Sequence, residues 1–193
     1  MRKSTFRPQL LNYNELISAA ANMHDVNSAV AWFDHLEKEN LQPNVISFNA
    51  VLSAAAKKGA LDISVALYHR MEAASVQPDS YTFNTLISAG ARAGSGISAA
   101  GEWLQIMKSA CIKPNEATYN ALMDVAAKHQ ESLAAERWFG ELVAEGWRPS
   151  AVSWKTLVAA SVNCGDLPSA EKSLKAMAAN NFQPDAALCF KEL

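Results

Sequence analysis

The sequence has little of what covalent or metal chemistry requires. Its three cysteines, Cys111, Cys164 and Cys189, are odd in number and none stands in a CxxC pair. Neither a disulfide framework nor a zinc cluster is indicated, and a reducing compartment is expected. The four histidines, His24, His35, His69 and His129, show no HExxH or comparable ligand spacing, which places them on the surface or in turns rather than around a metal. No GxxxxGK(S/T) loop, GxSxG elbow or paired-acid site occurs. An enzyme is therefore not expected, nor a cofactor, a metal or a small-molecule substrate. No apolar run approaches the roughly 18 to 20 residues of a membrane span, so no membrane partner is expected. An excess of positive charge is missing too. Seventeen Lys and Arg against nineteen Asp and Glu leave a formal charge of −2, so no global field draws in a polyanion. The basic start MRKSTFRPQ lacks acids but is too short to be read as a targeting segment. No alternation of period two survives, so no sheet is expected.

What the sequence does have is an internal period. The segments LQPN, VQPD, IKPN, WRPS and FQPD end at Asn44, Asp79, Asn115, Ser150 and Asp185, at successive intervals of 35, 36, 35 and 35 residues. This defines five repeats, 10–44, 45–79, 80–115, 116–150 and 151–185, preceded by a stub, 1–9, and followed by a truncated sixth start, 186–193. Each repeat reads as two helices. The first, such as 46–57, has apolar or aromatic residues at positions 4, 7, 8 and 11, one face of a 3.6-residue period. It stops near a glycine, Gly59, Gly94 or Gly165. The second, such as 62–74, carries a small residue, then an aromatic or Leu four later, then Met or Leu three later, as in Ala29, Phe33 and Leu36 or Ser64, Tyr68 and Met71. Proline then blocks continuation. One pair of short helices cannot cover its own apolar face. The expected fold is therefore all-α, a right-handed α-solenoid of about five stacked hairpins forming a single array.

Turning 100° per residue, positions 2, 5, 9 and 12 form a second stripe roughly 140° from the core direction. Position 5 is Asn in four of the five repeats: Asn14, Asn49, Asn84 and Asn120. Asparagine costs a helix a few tenths of a kcal/mol or more relative to Ala, and the pattern shows no packing role in return. A role outside the helix is expected. An amide offers donors and an acceptor together, which is what reading the edge of a nucleobase requires. A hydrogen bond between adjacent hairpins is the competing reading.

The 35-residue period, the phrases SFNAVL, TFNTLI and TYNALM, the KKGALD turn and the terminal QPN or KPN closely resemble pentatricopeptide repeats, with an array like the P type. Tetratricopeptide repeats differ in having 34-residue units and a Trp-Leu-Gly-Tyr pattern missing here. The resemblance covers residues 10–185. It implies a solenoid that binds single-stranded RNA, one base per repeat, in the mitochondrion or plastid, where it acts in RNA processing, stability or translation. It further implies that position 5 and the last residue of each repeat select the base together: Asn14 with Asn44, Asn49 with Asp79, Asn84 with Asn115, and Asn120 with Ser150. Position 2 would wedge each base, through Leu11, Ile46, Tyr81, Ala117 and Val152. In the family's code Asn with Asp favours U, and Asn with Asn or Ser favours C, which implies a pyrimidine target (C/U)-U-(C/U)-C. The fifth repeat departs, having Lys155 where Asn is expected, opposite Asp185.

Position 13 holds Lys57, Arg92 and Lys128, with Lys58 adjacent. Phosphate contact is one reading of these cations. The preference of basic side chains for a helix C-terminus is the other. The terminal Asn, Asp and Ser residues have an ordinary task as helix N-caps as well. Trp32, Trp103 and Trp138 share position 23 beside the second-helix core and are expected to pack. The alternative function is a protein-interaction scaffold that uses the same concave surface.

Overall fold

The computed structural model describes residues 8–183. Among them are ten helices and no strand: α1 (Leu10–Asn22), α2 (Val26–Lys38), α3 (Val45–Lys58), α4 (Leu61–Ala73), α5 (Ser80–Ala93), α6 (Gly96–Ser109), α7 (Glu116–Lys128), α8 (Ser132–Ala144), α9 (Ala151–Asn163) and α10 (Leu167–Ala179). Asp185, Cys189 and the segment 186–193 lie outside the described residues, as do residues 1–7 of the stub. The chain divides into two compact units between Arg92 and Ala93.

In the first unit, α1 packs on α2 and α3, and α3 packs on α4. The helices begin where a cap can hold them. Asn44, in extended conformation, accepts from Ser47 N at 3.0 Å and donates its own N–H to Ser47 Oγ at 3.2 Å. Asp79 and Thr82 make the same reciprocal pair at the start of α5, at 2.9 and 3.1 Å. Such a box satisfies two backbone donors that the helix leaves orphaned. The apolar positions then fall inside: Phe48, Val51, Leu52 and Ala55 of α3 are all fully buried. An aromatic contact joins each second helix to the next first helix, Phe33 to Phe48 with centroids 4.8 Å apart and Tyr68 to Phe83 at 5.8 Å. Leu16 is the exception. It occupies core position 7 of α1 but is exposed, because among the described residues no hairpin precedes α1.

In the second unit, α7 packs on α6, α8 and α9, and α9 packs on α8 and α10. Asn115 and Thr118 repeat the capping box at 3.0 and 3.1 Å. Phe139 meets Trp154 at 4.6 Å, the same inter-hairpin aromatic contact as in the first unit. Trp138 is buried, as expected of packing, whereas Trp32 in the first unit is more than a third exposed beside Tyr13 and His35.

The turn after each first helix places one residue in the left-handed region. Gly59, with φ 68°, does this where Arg92 comes so close that an added Cβ would lie 3.3 Å from it. His24 and Gln130 stand at the equivalent turns with φ 57° and no glycine to ease it, a conformation L-residues adopt at a cost.

Candidate functional site

Two of the position 5 asparagines, Asn14 and Asn49, have their side-chain oxygen bound by the next hairpin, whereas the side-chain oxygen of Asn120 is buried without a hydrogen-bond partner. Asn14 is buried, and its Oδ1 accepts from Ser47 Oγ of the next hairpin at 2.7 Å. Asn49 Oδ1 accepts from Thr82 Oγ1 at 2.8 Å in the same way. A hydrogen bond between successive first helices is therefore part of their role, the competing reading offered by sequence. Asn49 is only half-buried, and its Nδ2 donates to Asp79 Oδ1 at 3.1 Å. An amide nitrogen carries two protons, so this bond leaves a second donor on Asn49 beyond the one Asp79 receives.

The structure joins the expected selecting pairs in different ways. Asn49 and Asp79 touch directly. Asn14 and Asn44 meet through the Ser47 hydroxyl, which lies 2.7 Å from one and 3.1 Å from the other. Asn120 and Ser150 meet through a residue that sequence reasoning passed over, Glu116, whose Oε1 accepts from Ser150 N at 3.1 Å and Ser153 Oγ at 2.7 Å. Burial raises the Glu116 carboxyl, but hydrogen bonds from Ser150, Ser153 and Asn120 outweigh it and hold the group below its ordinary value of 4.5. Asn84 is half-buried in the first compact unit and Asn115 half-buried in the second. Lys155 is half-buried on α9.

The position 3 hydroxyls Ser47, Thr82 and Ser153, all fully buried, are the second group that sequence reasoning passed over. Each caps its own helix or bonds the preceding hairpin. The signal was present in the Ser or Thr two residues before position 5 of the second to fifth repeats, but the partners of Ser47, Thr82 and Ser153 lie 33 to 37 residues away.

All five position 2 side chains, Leu11, Ile46, Tyr81, Ala117 and Val152, are exposed. Exposed apolar residues at a fixed period are informative when polar groups rim them. Between Ile46 and Tyr81 lies a cleft of about 300 Å³ whose walls include Asn49, Ser18, Ser53 and Asn22. Two apolar walls one repeat apart thus flank an amide.

The position 13 cations also have partners. Lys57 Nζ lies 3.4 Å from Ala21 O, and Arg92 Nη1 lies 3.0 Å from Ala56 O, each at the C-terminal turn of the preceding first helix. Asn163 Nδ2 does the same to Ala127 O at 3.3 Å. Lys128 instead pairs with Asp124 at 2.7 Å, within α7. All four cations, Lys58 included, are exposed, and an ammonium has three donors, so a carbonyl contact leaves capacity for an anion. Among the described residues no group of His, Cys, Asp and Glu could hold a metal, and no helix is long and apolar enough to cross a membrane.

Stacked two-helix hairpins recurring every 35 or 36 residues define a helical-repeat protein. Three family profiles match the chain: a pentatricopeptide repeat domain over residues 1–58, the PPR repeat family over 43–92, and a PPR repeat over 117–147. The chain belongs to the pentatricopeptide repeat family, with the α-solenoid fold of that family. Among solved structures it is similar to the pentatricopeptide repeat protein PPR10 in complex with an 18-nt psaJ RNA element. There the identity is 25% and the TM-score 0.76, over 96% of this chain and 30% of that one. It also shares its fold with the PPR domain of Arabidopsis thaliana protein-only RNase P 1 in complex with tRNA, at 16% identity and TM-score 0.76, over 94% of this chain and 95% of that one. Nuclear proteinaceous RNase P 2 from A. thaliana gives 15% identity and TM-score 0.69, over 89% and 38% of the respective chains. The chain thus spans less than a third of the PPR10 length. No curated protein sequence matches it significantly.

Proposed function

We propose that this chain binds single-stranded RNA without catalysing a reaction on it, holding successive bases between position 2 side chains and reading each with position 5 and the last residue of the repeat. The observation that carries this is the cleft lined by Ile46, Tyr81 and Asn49, because it gathers two exposed apolar side chains one repeat apart with an amide that is hydrogen-bonded to Asp79. Stacking a base between such faces contributes about 1 to 3 kcal/mol when the platform is aromatic. The RNA complexes of PPR10 and of the RNase P 1 repeat domain support the choice of ligand. The selecting residues that the family's code assigns are Asn14, Asn44, Asn49, Asp79, Asn84, Asn115, Asn120 and Ser150, and read by that code alone they give a pyrimidine tract of the form (C/U)-U-(C/U)-C. Lys57, Lys58, Arg92 and Lys128 supply phosphate contacts from the exposed ends of side chains. The setting we propose is an organelle, in processing, stability or translation of a transcript.

Fluorescence anisotropy with a labelled RNA containing CUCC, against oligo-A of equal length, tests this. Tighter binding of the pyrimidine RNA at low salt is expected. Equal or absent binding would remove the base-reading role and favour the second reading, a scaffold for protein partners. That reading draws support from the formal charge of −2 and from Lys128 being tied to Asp124.

A further inference from the structure

We propose that Glu116, rather than Ser150, is the base-selecting partner of Asn120, and that the fourth repeat reads uracil instead of cytosine. This rests on the base reading proposed above. It comes from comparing two steps of the stack.

In the step from α3 to α5, the selecting acid is Asp79. One of its oxygens accepts from Thr82 N at 2.9 Å and from Asn49 Nδ2 at 3.1 Å, and lies 2.9 Å from Thr82 Oγ1. In the step from α7 to α9, the residue in that place is Ser150, and its hydroxyl turns to its own helix to accept from Val152 N at 3.2 Å. Glu116, in the first turn of α7, enters the space. Its Oε1 accepts from Ser153 Oγ at 2.7 Å and from Ser150 N at 3.1 Å. The Ser150 N–H is the group that in the other caps binds the position 3 hydroxyl. The Asn120 side chain, one turn further along α7, is close enough to help hold the Glu116 carboxyl below its ordinary value, while its Oδ1 is buried without a hydrogen-bond partner. Both steps therefore gather a carboxylate, a position 3 hydroxyl within hydrogen-bond distance of it, and the position 5 asparagine beside it. They differ in the origin of the carboxylate and in the asparagine oxygen, which Thr82 bonds at Asn49 and which has no partner at Asn120. Position 1 is Leu10, Val45, Ser80 and Ala151 in the other repeats, so this device belongs to the fourth alone.

The chemistry favours uracil. A carboxylate accepts and cannot donate. Uracil turns an N3–H donor towards such a group and leaves O4 for an amide donor. Cytosine turns an N3 lone pair towards it, and two acceptors facing each other repel. A serine hydroxyl can donate to that lone pair, which is why the Asn120 and Ser150 pair taken alone suggests cytosine.

The test uses the full chain and two labelled RNAs with identical flanks, one containing CUCU and the other CUCC, measured by anisotropy with wild type, Glu116→Gln, and Glu116→Gln combined with Ser150→Asp. Wild type is expected to bind the CUCU form about tenfold more tightly, the discrimination typical of a good base contact. Glu116→Gln should abolish or reverse that ratio, and the double variant should restore it. A purely structural Glu116 would lower the melting temperature of Glu116→Gln and leave the ratio unmoved, which overturns the proposal. So does a wild-type preference for CUCC, whatever the variants do. Binding of neither RNA, or of oligo-A equally well, refutes base reading itself. Tight pyrimidine binding with the wrong last base refutes the role of Glu116 alone.

Discussion

The Thr82 hydroxyl has one proton and two oxygens within reach of it, Asn49 Oδ1 at 2.8 Å and Asp79 Oδ1 at 2.9 Å, while its own oxygen accepts from Asp79 N. It thereby fixes which end of the Asn49 amide faces inward. Thr82→Val keeps the shape and deletes this hub, leaving Asn49 Oδ1 without its donor and the Asp79 N–H without its acceptor. A loss of about 1 to 3 kcal/mol is expected in urea unfolding, and with it reduced discrimination between U and C at the second repeat. Gln130 illustrates the opposite case. Its left-handed conformation, φ 57°, is strained for an L-residue, so Gln130→Gly should stabilise the chain by about 1 kcal/mol, read as a higher urea midpoint. Glu116 adds a pH dependence. Its carboxyl sits below its ordinary value in the folded chain, so its stabilising effect is fully present above that ordinary value and is lost as pH falls through the depressed one. The stability gap between wild type and Glu116→Gln should accordingly be widest near neutrality and narrow under acid. A gap that widens in acid would contradict the assignment.

At the scale of the helix, the end of a first helix is often held by a residue of its neighbour in the stack. The last residue of the preceding repeat caps α3, α7 and α9. Lys128 is tied to Asp124, whereas position 13 of the next repeat binds the C-terminal carbonyl of α1 and α3, Lys57 at Ala21 O and Arg92 at Ala56 O. These cations thus have a structural task beside the phosphate role proposed for them. Lys57→Met separates the two, since it removes the charge and keeps the bulk of the stem. With a phosphate role, the slope of log affinity against log salt should fall by about one; an unchanged slope would leave Lys57 as a helix-end ligand only. Much of this level was legible in the sequence. The apolar positions 4, 7, 8 and 11 marked the buried face, as Phe48, Val51, Leu52 and Ala55 show, because helical periodicity is a local property. The place of Ser47, Thr82, Ser153 and Glu116 was not legible, because each acts on a partner 33 to 37 residues away and a side chain's rotamer has no periodic signature. Leu16 fitted the core pattern and is exposed, since burial at that position needs a hairpin on the far side.

At the scale of the whole chain, repeats that touch only their neighbours make stability a sum of near-neighbour terms. The base-reading role is likewise a sum of small, separable choices, one per repeat, so it can be tested one repeat at a time. The cleft beside Asn49 is the place to do so, because Asn49 and Asp79 are in direct contact and Ile46 and Tyr81 are exposed. The most direct measurement is the affinity of wild type and Asn49→Thr for RNAs that differ only in the base at the second reading position, U or G. Wild type should prefer U and Asn49→Thr should shift towards G. The same preference in both proteins, with both folded and both binding RNA, would contradict the account.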